Sequence, residues 1–120
     1  MIFVTGPRFA GKKEYIKRTM NLTEEEFSAR AAWDVQDLLR NGNVSEAEVA
    51  SLAEELSRKE IVTASEAGCG VIPVDDGERA WREAAGRLSC LLAARADVVI
   101  RVCCGLPEVL KGDLPECGSI

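Results

Sequence analysis

The feature that most constrains the fold is a short apolar segment that runs directly into a glycine loop at the start of the chain. Residues 2–5 read Ile-Phe-Val-Thr and predict a buried strand, and residues 6–12 then give the spacing G-x-x-x-x-G-K before an apolar-periodic stretch. A strand–loop–helix unit of this kind directs backbone N–H groups at a phosphate. An ordinary glycine-rich turn is the alternative. The candidate nucleotide-binding residues are Gly6, Gly11, Lys12 and Lys13.

Position 13 of this loop departs from the phosphate-binding motif. Lys13 stands where a working loop has serine or threonine. That hydroxyl ligates the Mg²⁺ ion bound to the nucleotide phosphates, and an ammonium group cannot act as a metal ligand. We therefore expect ATP or GTP as the ligand, with weaker support for Mg²⁺. The loop is surrounded by a basic cluster made up of Arg8, Lys12, Lys13, Lys17 and Arg18. A solvated helix face is the alternative explanation of this cluster.

The composition narrows the classes of function. The chain has 120 residues, 47% of them hydrophobic, which is enough for one domain with a real core. Its net charge of −5 argues against nucleic acid as a general partner, because a surface that binds a phosphate backbone needs a basic field. No export segment and no apolar run of membrane-spanning length is visible. We therefore expect a cytoplasmic protein without a membrane partner.

The cysteines and histidines do not predict a metal site. Five cysteines fall at irregular spacings without a C-x-x-C pair, and histidine is absent, so no residue is assigned as a metal ligand. Cys103 and Cys104 end an apolar run, and free cysteine is often buried. We predict both as small core residues.

Two capping boxes mark helix starts in the first half of the chain. Thr23 and Ser45 are each followed three residues later by glutamate, which predicts a short helical turn after the first and an amphipathic helix over 46–58 after the second. Residues 29–41 fit either a strand or one helical face. We favour a strand that ends near Asp34, followed by a short helix.

The remaining periodicity predicts the fold class. Strands are expected over 61–64 and 98–103, and a long helix over 76–95 with Trp81 facing the core. Strands that alternate with helices predict an α/β fold of the P-loop type, with three layers and a small, mostly parallel sheet flanked by helices. We expect a single domain over residues 1–120.

Parallel sheets place ligands at the carboxyl ends of their strands. The glycine loops 6–12 and 66–73 both follow predicted strands, so they should lie at the same edge of the sheet. Asp34 ends a possible strand, and Glu66 opens the second loop. Either carboxylate could hold Mg²⁺ or orient an attacking hydroxyl, and capping of loop amides is the alternative role for Glu66.

The second half of the chain carries a longer set of motifs. Residues 66–73 read Glu-Ala-Gly-Cys-Gly-Val-Ile-Pro, followed by the aromatic-Arg-acid triplet 81–83 and by Gly-Arg at 86–87. In this order the motifs resemble the bifunctional adenosylcobinamide kinase/adenosylcobinamide-phosphate guanylyltransferase family of cobalamin biosynthesis. The resemblance covers residues 2–12 and 59–111, and the middle of the chain is shorter than in the family.

The resemblance implies a function and a set of residues. Phosphoryl transfer from ATP or GTP to a corrinoid hydroxyl would use Lys12, Asp34 and Glu66 as catalytic residues, in a homo-oligomer that binds a nucleotide and a corrinoid. In the family a histidine takes the guanylyl group from GTP, and this chain has no histidine. The alternative is a degenerate, non-catalytic member that serves as a binding or subunit-interaction module. The departures from the family's usual loop, G-G-A-R-S-G-K-S, are Pro7, Phe9, Ala10 and Lys13.

Overall fold

A computed structural model of the chain describes residues 1–39, 44–66 and 76–113. Its elements, in chain order, are β1 (Ile2–Gly6), α1 (Lys12–Met20), α2 (Glu24–Arg30), β2 (Ala31–Ala32), a 3₁₀ helix (Val35–Leu39), α3 (Glu46–Leu56), β3 (Ile61–Ser65), α4 (Asp76–Arg95), β4 (Val98–Cys103) and β5 (Leu106–Lys111). Most of the second glycine loop, residues 67–73, lies outside the described residues, as do Cys69 and Cys117.

The strands form one five-stranded sheet in the order β2-β3-β1-β4-β5. The first four are parallel, and β5 pairs antiparallel with β4. In the centre, Val4 of β1 lies between Thr63 of β3 and Ile100 of β4. These strands are rich in β-branched residues and buried on both faces, as parallel strands require. The predicted α/β fold with a mostly parallel sheet is therefore confirmed.

The two faces of the sheet carry separate hydrophobic clusters because side chains alternate along each strand. Phe3 packs with residues of α3, α4 and the 3₁₀ helix, whereas its neighbour Val4 packs with residues of α1 and α2. Trp81 of α4 is buried on the first face, as predicted, and its indole Nε1 donates a hydrogen bond to the Gln36 carbonyl oxygen at 2.9 Å. Helices thus cover both faces and give the three predicted layers.

Capping boxes and apolar spacing in the sequence predicted most of the helix boundaries. Both capping boxes are present, with the Thr23 and Ser45 hydroxyls accepting from the N–H groups of Glu26 and Glu48 at 3.1 and 3.2 Å. The helix predicted over 76–95 has those bounds, and α3 ends two residues before the predicted position. None of the described helices is long and apolar enough to cross a membrane.

The strand predicted to end near Asp34 and the short helix predicted after it are both present. The strand ends at Ala32, and Asp34, with a φ of 51°, lies between it and the 3₁₀ helix. Cys103 and Cys104 are exposed, so the prediction that they lie in the core is wrong. β4 ends at Cys103, and Cys104 with Gly105 forms a tight turn with both φ angles positive, 54° and 75°.

The strand after this turn, β5, was not predicted from the sequence. Gly105 and Pro107 both act as strand breakers, so the sequence predicts 98–103 as the last strong strand. β5 tolerates Pro107 because it is an edge strand, where a missing N–H group costs no ladder hydrogen bond. Its six residues are all exposed.

Candidate functional site

A cavity of about 580 Å³ lies at the carboxyl edge of the sheet. It sits between the loop that follows β1 and the segment that follows β2. The described residues that line it are Arg8, Phe9, Ala10, Gly11, Lys12, Lys13, Glu14, Trp33, Asp34, Asp37 and Ser65. Parallel sheets bind ligands at this edge, so the cavity is the candidate site.

The two glycines of the first loop have different structural tasks. A Cβ atom on Gly6 would lie 2.2 Å from the Val102 carbonyl oxygen, so only glycine lets β1 leave the sheet beside β4. Gly11 is the N-cap of α1 with a φ of 89°, and it has no side chain to cap the helix. The first N–H groups of α1 have no acceptor within the helix and carry partial positive charge. Because Gly11 and Lys12 both line the cavity, this helix start borders it.

Lys12 is a nearly buried cation in the wall of the cavity, with 3% of its surface exposed. Its Nζ atom donates to the carbonyl oxygens of Pro7 at 2.8 Å and Gly6 at 3.4 Å. Burial lowers the pKa of the Lys12 ammonium, and the carboxylates of Asp34 and Glu66 oppose that shift. Carbonyl dipoles solvate the ammonium without neutralising it, so an anion in the cavity would stabilise its charged form.

Asp34 is held in place by β3. Its backbone N–H group donates to the Thr63 hydroxyl at 3.0 Å, and its Oδ1 atom accepts from the Ser65 hydroxyl at 3.1 Å. The structure therefore brings Lys12 and Asp34 to one cavity, as the sequence predicted. Asp37 also lines it, with Oδ1 lying 3.7 Å from Arg8 Nη2.

Glu66 is engaged elsewhere. Arg101 Nε and Nη2 donate to its two carboxylate oxygens at 2.5 and 3.3 Å, and its backbone N–H group donates to the Gly6 carbonyl at 2.9 Å. The same carboxylate raises the pKa of the Arg101 guanidinium. Glu66 is not among the described residues that line the cavity. Its catalytic role stays a prediction, and Arg101 now competes for the carboxylate that this role needs.

Lys13 lines the cavity but has an acidic partner outside it. Its ammonium pairs with Glu24 of α2, which also accepts from Lys17 Nζ at 2.5 Å, and it lies 5.6 Å from the centroid of the Phe27 ring. The hydrogen bonds from Lys13 and Lys17 lower the pKa of the Glu24 carboxyl. Of the predicted basic cluster, Arg8, Lys12 and Lys13 therefore border the cavity, and Lys17 serves the junction of α1 and α2.

The cavity lining supplies three carboxylates as possible oxygen ligands for a divalent cation, those of Glu14, Asp34 and Asp37, whereas position 13 supplies an ammonium group. Within residues 1–39, 44–66 and 76–113, no group of three or more His, Cys, Asp or Glu side chains could hold a metal. A magnesium ion bound to nucleotide would thus depend on one of these carboxylates and on phosphate oxygens.

The sequence analysis did not assign several residues at this site, which are Phe9, Glu14, Trp33, Asp37 and Ser65 in the cavity lining and Arg101 beside Glu66. Asp37 lies three residues after Asp34, and Ser65 ends a parallel strand, so the sheet rule and the helical spacing could have found them. Arg101 interrupts an apolar central strand, and such a charge calls for a partner. Phe9 carried no signal beyond its departure from the expected loop.

The turn between β4 and β5 contacts the glycine loop. The Gly105 N–H group donates to the Ala10 carbonyl at 2.7 Å, and a Cβ atom on Gly11 would lie 3.4 Å from Gly105 Cα. The loop is thus fixed by β4 and by this turn as well as by α1.

One comparison with known proteins identifies a family. The family model described as cobinamide kinase / cobinamide phosphate guanyltransferase matches residues 28–110, which is more than half of the 120 residues. The chain therefore belongs to this family, and the resemblance seen in its motifs is confirmed. The match begins after the first glycine loop and includes the middle of the chain. A search of curated proteins found no match.

Proposed function

We propose that this member of the cobinamide kinase / cobinamide phosphate guanyltransferase family binds ATP or GTP at the carboxyl edge of its sheet and transfers the terminal phosphoryl group to a corrinoid hydroxyl. Membership supports a transferase-type function in cobalamin biosynthesis. The observation that carries the finer proposal is the position of Lys12 and Asp34 in the wall of one cavity.

The residues of the chain would divide the work of phosphoryl transfer. The N–H groups at the start of α1 would bind a phosphate, and Lys12 would neutralise charge on the β- and γ-phosphates. Asp34, fixed by Thr63 and Ser65, would hold Mg²⁺ or orient the attacking hydroxyl. Bound magnesium would supply charge neutralisation on the phosphate oxygens. Phosphoryl transfer depends mainly on such positioning and charge, so it can survive the loss of a hydroxyl ligand.

Guanylyl transfer through a histidine is not part of this proposal. The chain contains no histidine, so a phosphoramidate of the kind expected for the family has no residue to form on. We propose the kinase half of the family's two activities alone.

A second candidate function is nucleotide binding without catalysis. The pairing of Lys13 with Glu24 favours it, because the metal-ligand position of the loop then holds a cation committed to a structural ion pair. Both candidates predict nucleotide binding, and only the first predicts turnover.

Isothermal titration of ATP and GTP, with and without Mg²⁺, tests the binding that both candidates need. We expect Lys12→Met to weaken binding at least about tenfold, since a buried charge-assisted contact to phosphate is lost while the apolar stem is kept. Lys59→Met, an exposed lysine before β3, is the matched control and should bind as the wild type does. No binding by the wild type, or equal binding by the Lys12 variant, would overturn the proposed site.

Turnover separates the two candidates. The wild type, ATP or GTP, and adenosylcobinamide should yield nucleoside diphosphate and phosphorylated corrinoid in equal amounts, measured by chromatography. Binding without product would favour the non-catalytic candidate. Diphosphate formed without corrinoid present would indicate hydrolysis and contradict the kinase.

The proposal also covers the location of the protein in the cell and its assembly. We propose a cytoplasmic homo-oligomer, on family resemblance. Sedimentation velocity of the purified chain checks the assembly, and a sedimentation coefficient of a single 13.0 kDa chain would contradict it.

A further inference from the structure

The six aromatic side chains of the protein divide into two groups by exposure. Four are at most 8% exposed and lie in the core, namely Phe3, Tyr15, Phe27 and Trp81. The other two, Phe9 and Trp33, are 100% and 43% exposed, and both line the cavity. The chain therefore leaves its exposed aromatic surface at one place.

Phe9 occupies its position at a cost in backbone energy. Its φ angle is 59°, in the left-handed region that bulky side chains avoid. A fully exposed ring gains almost no packing in return. Strained residues of this kind persist at ligand sites, where the bound state compensates for the strain.

Trp33 is held at the cavity by a second aromatic ring. Its ring centroid lies 5.8 Å from that of Phe27, with an interplanar angle of 68°, which is edge-to-face packing. Phe27 itself is buried in the cluster under α1 and α2. The indole of Trp33 is thus anchored to the core and still 43% exposed.

The cavity places these two rings beside charged groups of both signs. Arg8, Lys12 and Lys13 line it with Phe9 and Trp33, and so do the carboxylates of Glu14, Asp34 and Asp37. The buried ammonium of Lys12 is hydrogen-bonded to carbonyl oxygens, so a ligand that joins a planar ring to phosphate groups suits the rings and this cation together. We propose that Phe9 and Trp33 stack on the base of the nucleotide whose phosphates meet Lys12. This inference rests on the proposed nucleotide site and assigns the base contact within it. Stacking accepts any base, so ATP and GTP should bind with similar affinity.

Inorganic tripolyphosphate is the probe that separates the base contact from the phosphate contact. Isothermal titration compares ATP, GTP and tripolyphosphate on the wild type, Phe9→Ala, Phe9→Tyr and Leu110→Ala. Phe9→Ala should weaken binding of both nucleotides about tenfold, the usual effect of losing one stacked ring. It should leave tripolyphosphate affinity within about twofold, as additivity of separate contacts implies. Phe9→Tyr should keep nucleotide affinity, and Leu110→Ala, an exposed apolar residue of β5, should bind as the wild type does.

Tryptophan emission gives an independent readout. Nucleotide should quench the emission of the wild type, tripolyphosphate should quench it far less, and Trp33→Phe should lose the nucleotide-dependent change. Trp81, the other tryptophan, is buried against Gln36 and serves as the internal reference.

The outcomes distinguish this inference from the site on which it rests. Nucleotides that bind no tighter than tripolyphosphate, or a Phe9→Ala variant that loses both kinds of ligand equally, would overturn the base contact and leave the phosphate site intact. Failure of all three ligands to bind the wild type would overturn both.

Discussion

The carboxyl edge of the sheet and the face covered by α3 and α4 are built in contrasting ways. On the α3–α4 face, buried apolar residues such as Val49, Leu88 and Leu92 pack at 1% exposure or less. At the carboxyl edge, Lys12 is a nearly buried charge, and Phe9 is a large ring that is fully exposed. The α3–α4 face stabilises the fold by burying apolar surface, whereas the carboxyl edge contains a buried charge and an exposed ring, which both reduce stability.

Backbone strain follows the same division. Four described residues other than glycine have a positive φ, namely Phe9, Asn21, Asp34 and Cys104. Asn21 ends α1, where a left-handed residue is usual. Phe9 and Asp34 line the cavity, and Cys104 precedes Gly105, whose N–H group donates to the Ala10 carbonyl of the glycine loop. Gln36, whose Oε1 accepts from the Ser65 N–H group beside the cavity, is also buried, and its Nε2 atom has no hydrogen-bond partner among the residues that the structure describes. Strain and buried polarity at this edge support the proposal that a ligand binds there.

The largest expected effect is on stability, although Gly6 lies at the strained edge, because this glycine passes close to the backbone of β4. Gly6→Ala should lower the free energy of unfolding by about 4 kcal/mol or more, since the new Cβ atom meets the Val102 carbonyl oxygen within the sheet. Gly105→Ala is the matched control, with a φ of 75° and no atom within 4 Å of the new Cβ. It should cost only about 1 kcal/mol, from backbone strain. Equal losses in urea denaturation would contradict the steric explanation.

The next effect tests the packed face. Leu88→Ala should lower the free energy of unfolding by about 3 kcal/mol, because it removes a side chain that is 1% exposed in α4. Nucleotide affinity of the folded variant should not change. Leu110→Ala on the exposed edge strand should stay within about 0.5 kcal/mol of the wild type. A Leu88 variant that loses nucleotide binding while still folded would show that the packed face and the cavity depend on each other.

The third effect has opposite signs for stability and for binding. Phe9→Gly should raise the free energy of unfolding by about 1 kcal/mol, because glycine adopts a φ of 59° without strain. The same change should weaken nucleotide binding, since the stacking ring is lost. Thermal denaturation and titration measure the two quantities on one sample. A Phe9→Gly variant that is less stable than the wild type would show that the Phe9 side chain stabilises the loop and would contradict the strain assigned to it.

The smallest effect concerns the exposed ion pairs between α1 and α2. The pKa of Glu24 is lowered by hydrogen bonds from Lys13 and Lys17, so its stabilising contribution is present above the ordinary carboxyl pKa and is lost as the pH falls through the lowered value. Glu24→Gln should therefore melt slightly lower than the wild type at about pH 7, and the difference should shrink as the pH falls below about 4. It should also release Lys13 and strengthen tripolyphosphate binding. A melting difference that persists in acid would contradict this pairing.

Much of the fold could be predicted because its signals are local. Capping boxes located the starts of two helices, and the apolar spacing over 76–95 gave α4 its bounds. Lys12 and Asp34 could be assigned to one site because parallel strands end at one edge. These inferences need only a residue's neighbours in the chain and one rule of sheet topology.

The wrong or missed predictions concern residues whose position depends on contacts with distant parts of the chain. Cys104 looks apolar in sequence, yet it forms the exposed turn into β5, an edge strand that tolerates Pro107. The ion pair joins Glu66, the residue after β3, to Arg101 of β4, 35 positions away, so no local pattern could reveal it. Phe9 was visible only as a departure from a family motif, because its exposure and φ angle are properties of the folded loop.

Amide chemical-shift mapping during a titration with ATP tests most directly whether the strained carboxyl edge is the ligand site. The largest shifts should fall on the amides of residues 8–14, with smaller ones at Trp33, Asp34 and Ser65, and α3 should stay unchanged. Shifts that centre on α3 or on the exposed strand β5, with the glycine loop unaffected, would contradict this assignment.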